Sequence, residues 1–204
     1  EVLDGLSLDW VVVDHYALDH RWEKMACPDD GRILVIDDLA DRVHACDVLL
    51  DQSLGRREHD YQALLPPGCL LHIGPRYALL RPEFAALRHL SLSRRQALND
   101  VRHILVALGG VDQYDHTSAV LNALRRCDLP DDVHCTVVLG RTAPHGEAVK
   151  RTANDVPWPV TVLAGIPDMA ERMVEADLAI GAAGSSAWER CALGLPTLLV
   201  LLAE

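Results

Sequence analysis

The stretch HILVALGGVDQYDHTSAVLNAL, residues 103–124, decides the fold. It begins with an unbroken apolar run of strand length, turns at Gly109 and Gly110, and continues with helical period. An apolar run without alternation is typical of a strand covered on both faces, as in a parallel sheet. The glycines let backbone approach a ligand, and the helix start is expected to offer free N–H groups to an anion. Taken alone, the glycine pair favours an ordinary turn that binds nothing, because such pairs are common in turns.

Apolar runs alternate with helical stretches along the rest of the chain, which predicts an α/β fold with parallel sheets. The expected strands are residues 10–14, 33–37, 47–50, 103–108, 136–139, 160–163, 178–181 and 197–201. The expected helices are residues 19–26, 115–127, 143–154, 168–175 and 186–193.

A polar segment at 85–101 holds no strand pattern and predicts a boundary between two domains. Residues 1–90 are interpreted as the remainder of an N-terminal domain, 91–98 as a linker and 99–204 as a C-terminal domain. The chain begins at Glu1 without methionine and ends at Glu204 directly after an apolar strand. We therefore expect an internal piece of a longer protein, with both domains incomplete.

Composition argues against several classes of protein. The formal net charge is −11 and no basic stripe is visible, which argues against a nucleic-acid partner. The longest apolar run, around 198–202, is too short to span a membrane. Six scattered cysteines without a CxxC pair favour a reducing cytoplasm over a disulfide or zinc scaffold. Asp37 and Asp38 follow a strand without a third ligand at a suitable spacing, so turn roles are favoured and no metal or cofactor is expected.

A second glycine-rich junction occupies residues 180–200, IGAAGSSAWERCALGLPTLLV. Gly184, Ser185 and Ser186 stand between a strand and a helix, an arrangement that suits a diphosphate. Ser186 and Glu189 also spell the S-x-x-E capping box, in which Glu189 would only bond back to the helix start. The alternative is that Glu189 faces a neutral group such as the vicinal hydroxyls of a ribose.

Two further strand ends carry candidate residues. In VLAGIPDMAERM (162–173), the loop at Gly165 and Ile166 either pairs with the edge of a base or is a plain connection. In WVVVDHYALD (10–19), His15 and Tyr16 follow a buried strand. Histidine is a residue type suited to acid–base chemistry, and the Tyr16 hydroxyl can donate a hydrogen bond, although a lone histidine after a strand is more often an ordinary surface or core residue.

Five motifs occur in an order that resembles a known family: VVVDHYALD, VIDDLADRVHACDVLLDQ, PRYALLRPEF, LGGVDQYD and GAAGSSAWERCALGLPTL. The chain resembles the PseG-type UDP-sugar hydrolases of pseudaminic acid biosynthesis, which are similar in fold to the MurG-like GT-B glycosyltransferases. The resemblance implies two Rossmann-like domains of GT-B type, of which the N-terminal one is partial here. It also implies hydrolysis of UDP-2,4-diacetamido-2,4,6-trideoxy-β-L-altropyranose to UDP and the free sugar, with inversion and without metal.

The resemblance also implies roles for individual residues. Tyr16 falls on the active-site tyrosine of the family, with His15 beside it. The nucleotide site falls on Gly109, Gly110, Gly165, Ile166, Gly184, Ser185, Ser186 and, at the ribose, Glu189. The family's proposed general base is a histidine in a Gly-x-Gly-His loop that this sequence does not contain, so weak UDP binding and slow turnover are expected.

The implied partner is a small UDP-sugar, and no oligomeric state is predicted. The alternatives are a GT-B glycosyltransferase that uses a UDP-sugar donor and a non-catalytic nucleotide-sugar-binding module.

Overall fold

The computed structural model describes residues 8–27, 31–97 and 100–202. The chain divides between Leu79 and Leu80 into two compact units, named here the N-terminal unit and the C-terminal unit. Each unit contains one sheet in which all strands are parallel, so the expected α/β class with parallel sheets is confirmed.

The N-terminal unit is built on a four-stranded sheet in the order β1-β2-β3-β4. Its elements are β1 (Trp10–Val13), α1 (His20–Ala26), β2 (Arg32–Ile36), β3 (Val48–Asp51), β4 (Leu70–Ile73) and the 3-10 helices Glu58–Asp60 and Pro75–Tyr77. The N-cap of α1 is Asp19, whose carboxylate accepts from the Arg21 N–H at 2.9 Å. Val13, Val35, Leu49 and the fully buried Tyr61 form its core.

The C-terminal unit is built on a five-stranded sheet in the order β7-β6-β5-β8-β9. Its elements are α2 (Pro82–Gln96), β5 (His103–Ala107), α3 (His116–Leu124), β6 (His134–Leu139), α4 (Gly146–Asn154), β7 (Val160–Ala164), α5 (Met169–Glu175), β8 (Leu178–Ala182), α6 (Ser185–Ala192) and β9 (Thr197–Val200). From β5 the chain moves outward through β6 and β7, then returns to the other side of β5 with β8. The order of strands therefore switches between β5 and β8, where open α/β sheets bind ligands beyond the carboxyl ends of the strands.

The two faces of the C-terminal sheet are covered by different helices. Ile104 and Val106 pack on one face with Leu121 of α3 and Val149 of α4. Leu105, between them, packs on the opposite face with residues that include Phe84 of α2 and Met173 of α5. This alternation along β5 is the period of two that a strand buried on both faces produces.

The eight expected strands are all present, with ends within two residues of the expected ones, whereas β4 and α2 were not expected. The linker expected at 91–98 is helical as far as Gln96, and Leu98 lies outside the described residues. None of the helices in the described part of the chain combines the length and apolar character needed to cross a membrane.

The packing of α2 explains why its sequence lacks an apolar stripe. Arg95 donates from three nitrogens to the carbonyl oxygens of Leu193, Ala176 and Met173 at 3.1, 2.8 and 2.7 Å. Ser91 donates to Leu193 at 2.7 Å, and Arg88 donates to Ala192. These oxygens lie at the carboxyl ends of α5 and α6, where helix carbonyls lack partners within their own helix. α2 is therefore held by these polar contacts in addition to the buried Phe84, and a search for hydrophobic periodicity does not detect the polar ones.

Candidate nucleotide-binding site

A cavity of ≈ 230 Å³ opens at the carboxyl end of the C-terminal sheet. Five of the eight predicted binding residues line it: Gly109, Gly110, Gly165, Ile166 and Ser186. They follow β5, β7 and β8, so the fold brings together residues that are far apart in the sequence. Gly184, Ser185 and Glu189 belong to the same β8–α6 junction but are not among the lining residues.

Close backbone packing shapes the floor of this cavity. Gly109 has a φ of 95°, a conformation that residues with a side chain rarely adopt. Gly140, directly after β6, also lines the cavity, and a Cβ added to it would overlap the backbone of Gly110. The turns after β5 and β6 therefore touch through main chain at this point. Gly140 was not predicted from the sequence, although a glycine at a third strand end was a signal for it.

The start of α3 does not offer free N–H groups, so that expectation is wrong. Asp112 accepts from the backbone of His116 and Thr117, each at 2.9 Å, and Asp115 caps the helix by accepting from Ser118 at 3.3 Å. Burial alone would raise the pKa of Asp112, but hydrogen bonds from Thr117 and His116 lower it overall. Two carboxylates thus already occupy this helix start and would repel a second anion.

The start of α6 differs, because its N-cap is Gly184, which has no side chain with which to cap the helix. Gly184 has a φ of 135° and no atom near the position that a Cβ would take. Gly184 and Ser185 are exposed, and Ser186 faces the cavity. Of the two predicted helix starts, only this one presents its first-turn amides without a competing carboxylate, as an anion site requires.

Glu189 does not form the capping box that its spacing allowed. The helix begins at Ser185, so Glu189 lies in the second turn and no side chain caps the helix start. Its carboxylate instead lies 3.7 Å from the guanidinium of Arg81, which also pairs with Glu83 at 2.9 Å. Burial raises the pKa of Glu189, while Arg81 and Arg190 act in the opposite direction. This half-buried carboxylate is thus available for a role other than capping.

His15 and Tyr16 belong to the N-terminal unit, whereas the eight binding residues belong to the C-terminal unit. Both side chains are exposed. The Tyr16 hydroxyl donates to Asp38 at 3.3 Å, and the charge of Asp38 raises the pKa of Tyr16. Nδ1 of His15 accepts from the backbone N–H of Ala17 at 3.0 Å. Tyr16 is therefore a hydrogen-bond donor at neutral pH, while one nitrogen of His15 stabilises the local turn.

Asp37 and Asp51, at the strand ends of the N-terminal sheet, bond to neighbouring groups of their own unit. Asp37 accepts from the backbone of Ala40 at 2.9 Å and pairs with Arg42 at 2.8 Å. The Tyr61 hydroxyl lies 2.8 Å from Asp37 and 2.9 Å from Asp51. Within the described ranges, no group of three His, Cys, Asp or Glu side chains is arranged to hold a metal ion.

Comparisons with known proteins give partial matches. No protein-family model matches the chain. The chain is 35% identical over 134 residues to the spore coat polysaccharide biosynthesis protein SpsG of Bacillus subtilis, covering 66% of this chain and 38% of that protein. It is 36% identical over 79 residues to the UDP-2,4-diacetamido-2,4,6-trideoxy-beta-L-altropyranose hydrolase of Campylobacter jejuni, covering 38% of this chain and 28% of that protein. The matches thus span well under half the length of either relative.

Among solved structures, the chain resembles the crystal structure of MurG from Acinetobacter baumannii, with a TM-score of 0.55 and 18% identity. The match covers 84% of this chain and 46% of that one. At this identity the likeness shows the fold alone, and it agrees with the two parallel sheets described above. The chain therefore has a MurG-like α/β fold of GT-B type, and its distant relatives include proteins of sugar biosynthesis.

Proposed function

We propose that the C-terminal unit binds the UDP part of a nucleotide sugar and that the protein releases UDP by hydrolysis of that sugar. The observation that carries the proposal is the cavity at the switch between β5 and β8. Its glycine-lined wall adjoins a helix start that no side chain caps. An apolar pocket next to oriented peptide groups suits a base followed by a diphosphate.

In this proposal each part of UDP has its own partner. The diphosphate lies at the start of α6, near Gly184, Ser185 and Ser186, because carboxylates occupy the start of α3. The uracil ring enters the cavity between the Gly109–Gly110 turn and the Gly165–Ile166 loop. Glu189 accepts hydrogen bonds from the ribose hydroxyls, a role supported by its freedom from helix capping.

The proposed reaction needs little acid catalysis, because UDP is a good leaving group. Peptide dipoles at the start of α6 stabilise the negative charge that develops on the departing diphosphate. Water attacks the anomeric carbon from the opposite face as the bond from that carbon to the UDP oxygen breaks, with inversion and without a metal ion. The proton of the attacking water passes to solvent. We propose Tyr16 as a group that positions the substrate or stabilises charge, with His15 beside it. Because the pKa of Tyr16 is raised, its hydroxyl keeps its proton at neutral pH and is not the base.

The similarity to the C. jejuni hydrolase favours UDP-2,4-diacetamido-2,4,6-trideoxy-β-L-altropyranose as the substrate. The second candidate is a glycosyltransferase that passes the sugar from UDP to an acceptor. The fold, which resembles that of MurG, is compatible with transfer as well as with hydrolysis. A binding module without catalysis is the third possibility.

Two measurements on the 204-residue chain separate these functions. Calorimetric titration with UDP tests the site, with ADP as the control for a nonspecific anion effect. Chromatography of UDP released from the UDP-sugar, in water and with added sugar acceptors, then tests the reaction. Hydrolysis predicts slow release that acceptors do not accelerate, whereas release that depends on an acceptor indicates a transferase. Failure to bind UDP at millimolar concentration refutes the proposed site.

A further inference from the structure

The buried guanidinium of Arg190 lies directly behind the proposed diphosphate site. Arg190 is in α6 and is only 2% exposed. Its Nη2 donates to the carbonyl oxygen of Ala182 at 2.7 Å, and its Nη1 donates to Oγ of Ser186 at 3.2 Å. Nε is buried and has no hydrogen-bond partner. Arg190 thus joins the end of β8 to the cavity-lining serine.

Arg190 forms no direct ion pair within the part of the chain that the structure describes. The carboxylate of the adjacent Glu189 pairs with Arg81 instead. Burial lowers the pKa of Arg190 and the charge of Glu189 acts in the opposite direction, although a guanidinium remains charged at neutral pH in either case. An unpaired buried charge is strongly destabilising, so this position calls for a function beyond packing.

The neighbouring strand makes room for this guanidinium. Gly181 lies in β8, and a Cβ added to it would be 2.6 Å from Nη1 and 2.9 Å from Cζ of Arg190. Glycine inside a strand is unfavourable and often marks a close approach. The small residue at 181 is therefore matched to a large cation behind the β8–α6 turn.

We propose that Arg190 is a positioning residue that supplies a buried positive charge to the diphosphate of the bound nucleotide. This inference rests on the proposed function, in which UDP binds at the start of α6. Because Arg190 donates to Oγ of Ser186, the serine hydroxyl hydrogen is left to point into the cavity and donate to a phosphate oxygen. The guanidinium also holds the Ala182 carbonyl, so that this acceptor bonds to the cation rather than facing the anion.

The role of a charge can be separated from a purely structural role by changing the charge of the ligand. Calorimetry measures UDP affinity and an NMR titration measures uridine affinity, on the full chain and on Arg190→Met. Loss of the buried charge is expected to weaken UDP binding about 10- to 100-fold and to leave uridine binding unchanged. Arg126→Met, which removes an exposed cation from the same unit, should leave both affinities unchanged.

Each outcome supports or overturns the inference. If the unmodified chain binds neither UDP nor uridine, the proposed function fails and the role of Arg190 fails with it. If it binds both and Arg190→Met weakens both equally, the arginine only holds the loop in shape. Should Arg190→Met not fold, Ser186→Ala decides, because it keeps the cation. If Arg190 acts on the diphosphate through the Ser186 hydroxyl, Ser186→Ala should weaken UDP binding and preserve uridine binding. Unchanged UDP affinity in Ser186→Ala refutes the inference.

Discussion

The carboxyl ends of the strands carry different chemistry in the two sheets. In the N-terminal sheet, Asp37 follows β2 and Asp51 ends β3, and Tyr61 lies between the two carboxylates. In the C-terminal sheet, glycines follow the strand ends at 109–110, 140, 165 and 184. The ends of β2 and β3 are closed by charged side chains, whereas the glycine turns of the C-terminal sheet expose main chain.

The difference shows how the same secondary structure is suited to different ligands. Buried carboxylates paired with arginines exclude an anion and stabilise their own turns. Glycine turns remove side chains from the strand ends and leave peptide dipoles to interact with a ligand. The α3 start, with its two aspartates, shows that a glycine turn alone is not sufficient for an anion site.

The largest expected effect comes from breaking the main-chain contact in the C-terminal sheet. In Gly140→Ala the new methyl group overlaps the backbone of Gly110, so one turn must move. We expect the free energy of unfolding to fall by about 3 kcal/mol and UDP binding to be lost. Urea denaturation and calorimetry measure these effects. Gly146→Ala is the control, since its Cβ would only touch Leu139 at 3.8 Å, and equal stability of the two variants would show that the contact is unimportant.

The second prediction breaks the side-chain network of the N-terminal sheet. Tyr61→Phe removes the hydroxyl shared by Asp37 and Asp51, and we expect a loss of about 1–3 kcal/mol in the free energy of unfolding at neutral pH. Tyr16→Phe is the control, because its exposed hydroxyl should contribute less than about 0.5 kcal/mol.

The loss of unfolding free energy in Tyr61→Phe should depend on pH. Burial raises the pKa of Asp37, but bonds from Ala40 and Tyr61 and the charge of Arg42 hold it below 3.8 overall. Such a group stabilises the fold above pH 3.8, and this stability is lost as pH falls through the lower pKa of the folded state. The difference in unfolding free energy between the parent protein and Tyr61→Phe should therefore be largest at neutral pH and shrink below about pH 4. A difference that stays constant down to about pH 2 would argue against a role for the Asp37 charge.

The third prediction tests whether the turn after β5 binds a ligand. A Cβ added to Gly110 would have no atom within 4 Å, and the φ of Gly110 is not in the left-handed region. Gly110→Ala should therefore leave the free energy of unfolding within about 0.5 kcal/mol of the parent. We expect UDP affinity to fall about tenfold, because the methyl group takes space that the ligand needs beside the backbone. Unchanged affinity would mean that Gly109 and Gly110 serve the turn alone.

The smallest expected effect belongs to Glu189→Gln. UDP affinity should fall about fivefold through weaker bonds to the ribose, with no change in stability, because the side chain caps no helix. Glu83→Gln is the control. Glu83 also pairs with Arg81, and its substitution should not change UDP affinity. Intact affinity combined with a loss of about 1 kcal/mol in unfolding free energy would instead assign Glu189 to its ion pair with Arg81.

The sequence was sufficient for eight of the nine strands in the described residues and for the glycine turns after β5, β7 and β8, because these follow from local patterns. The strand β4 and the turn at Gly140 were missed. Unbroken apolar runs mark buried strands wherever they occur, and glycine marks the turn that follows. The cavity assembled from Gly109, Gly110, Gly165, Ile166 and Ser186 then follows from the rule that parallel strands end at one edge.

The remaining features depend on contacts between distant residues. The helix α2 is attached through arginine donors to carbonyl oxygens, and an arginine in sequence is typical of a solvated surface. Arg190 was missed for the same reason, although it is buried against Gly181. The aspartates that occupy the start of α3 were visible in the sequence. Their geometry was not, because both Asp112 and Asp115 have positive φ values that local patterns do not predict.

The attachment of α2 has a consequence for ligand binding. Arg95 and Ser91 hold the carbonyl of Leu193, which caps the carboxyl end of α6, the helix whose opposite end is proposed to meet the diphosphate. A helix secured at its far end keeps the orientation of its first amides before any ligand arrives. Preorganised donors lose little conformational entropy on association, so more of the intrinsic attraction appears as measured affinity.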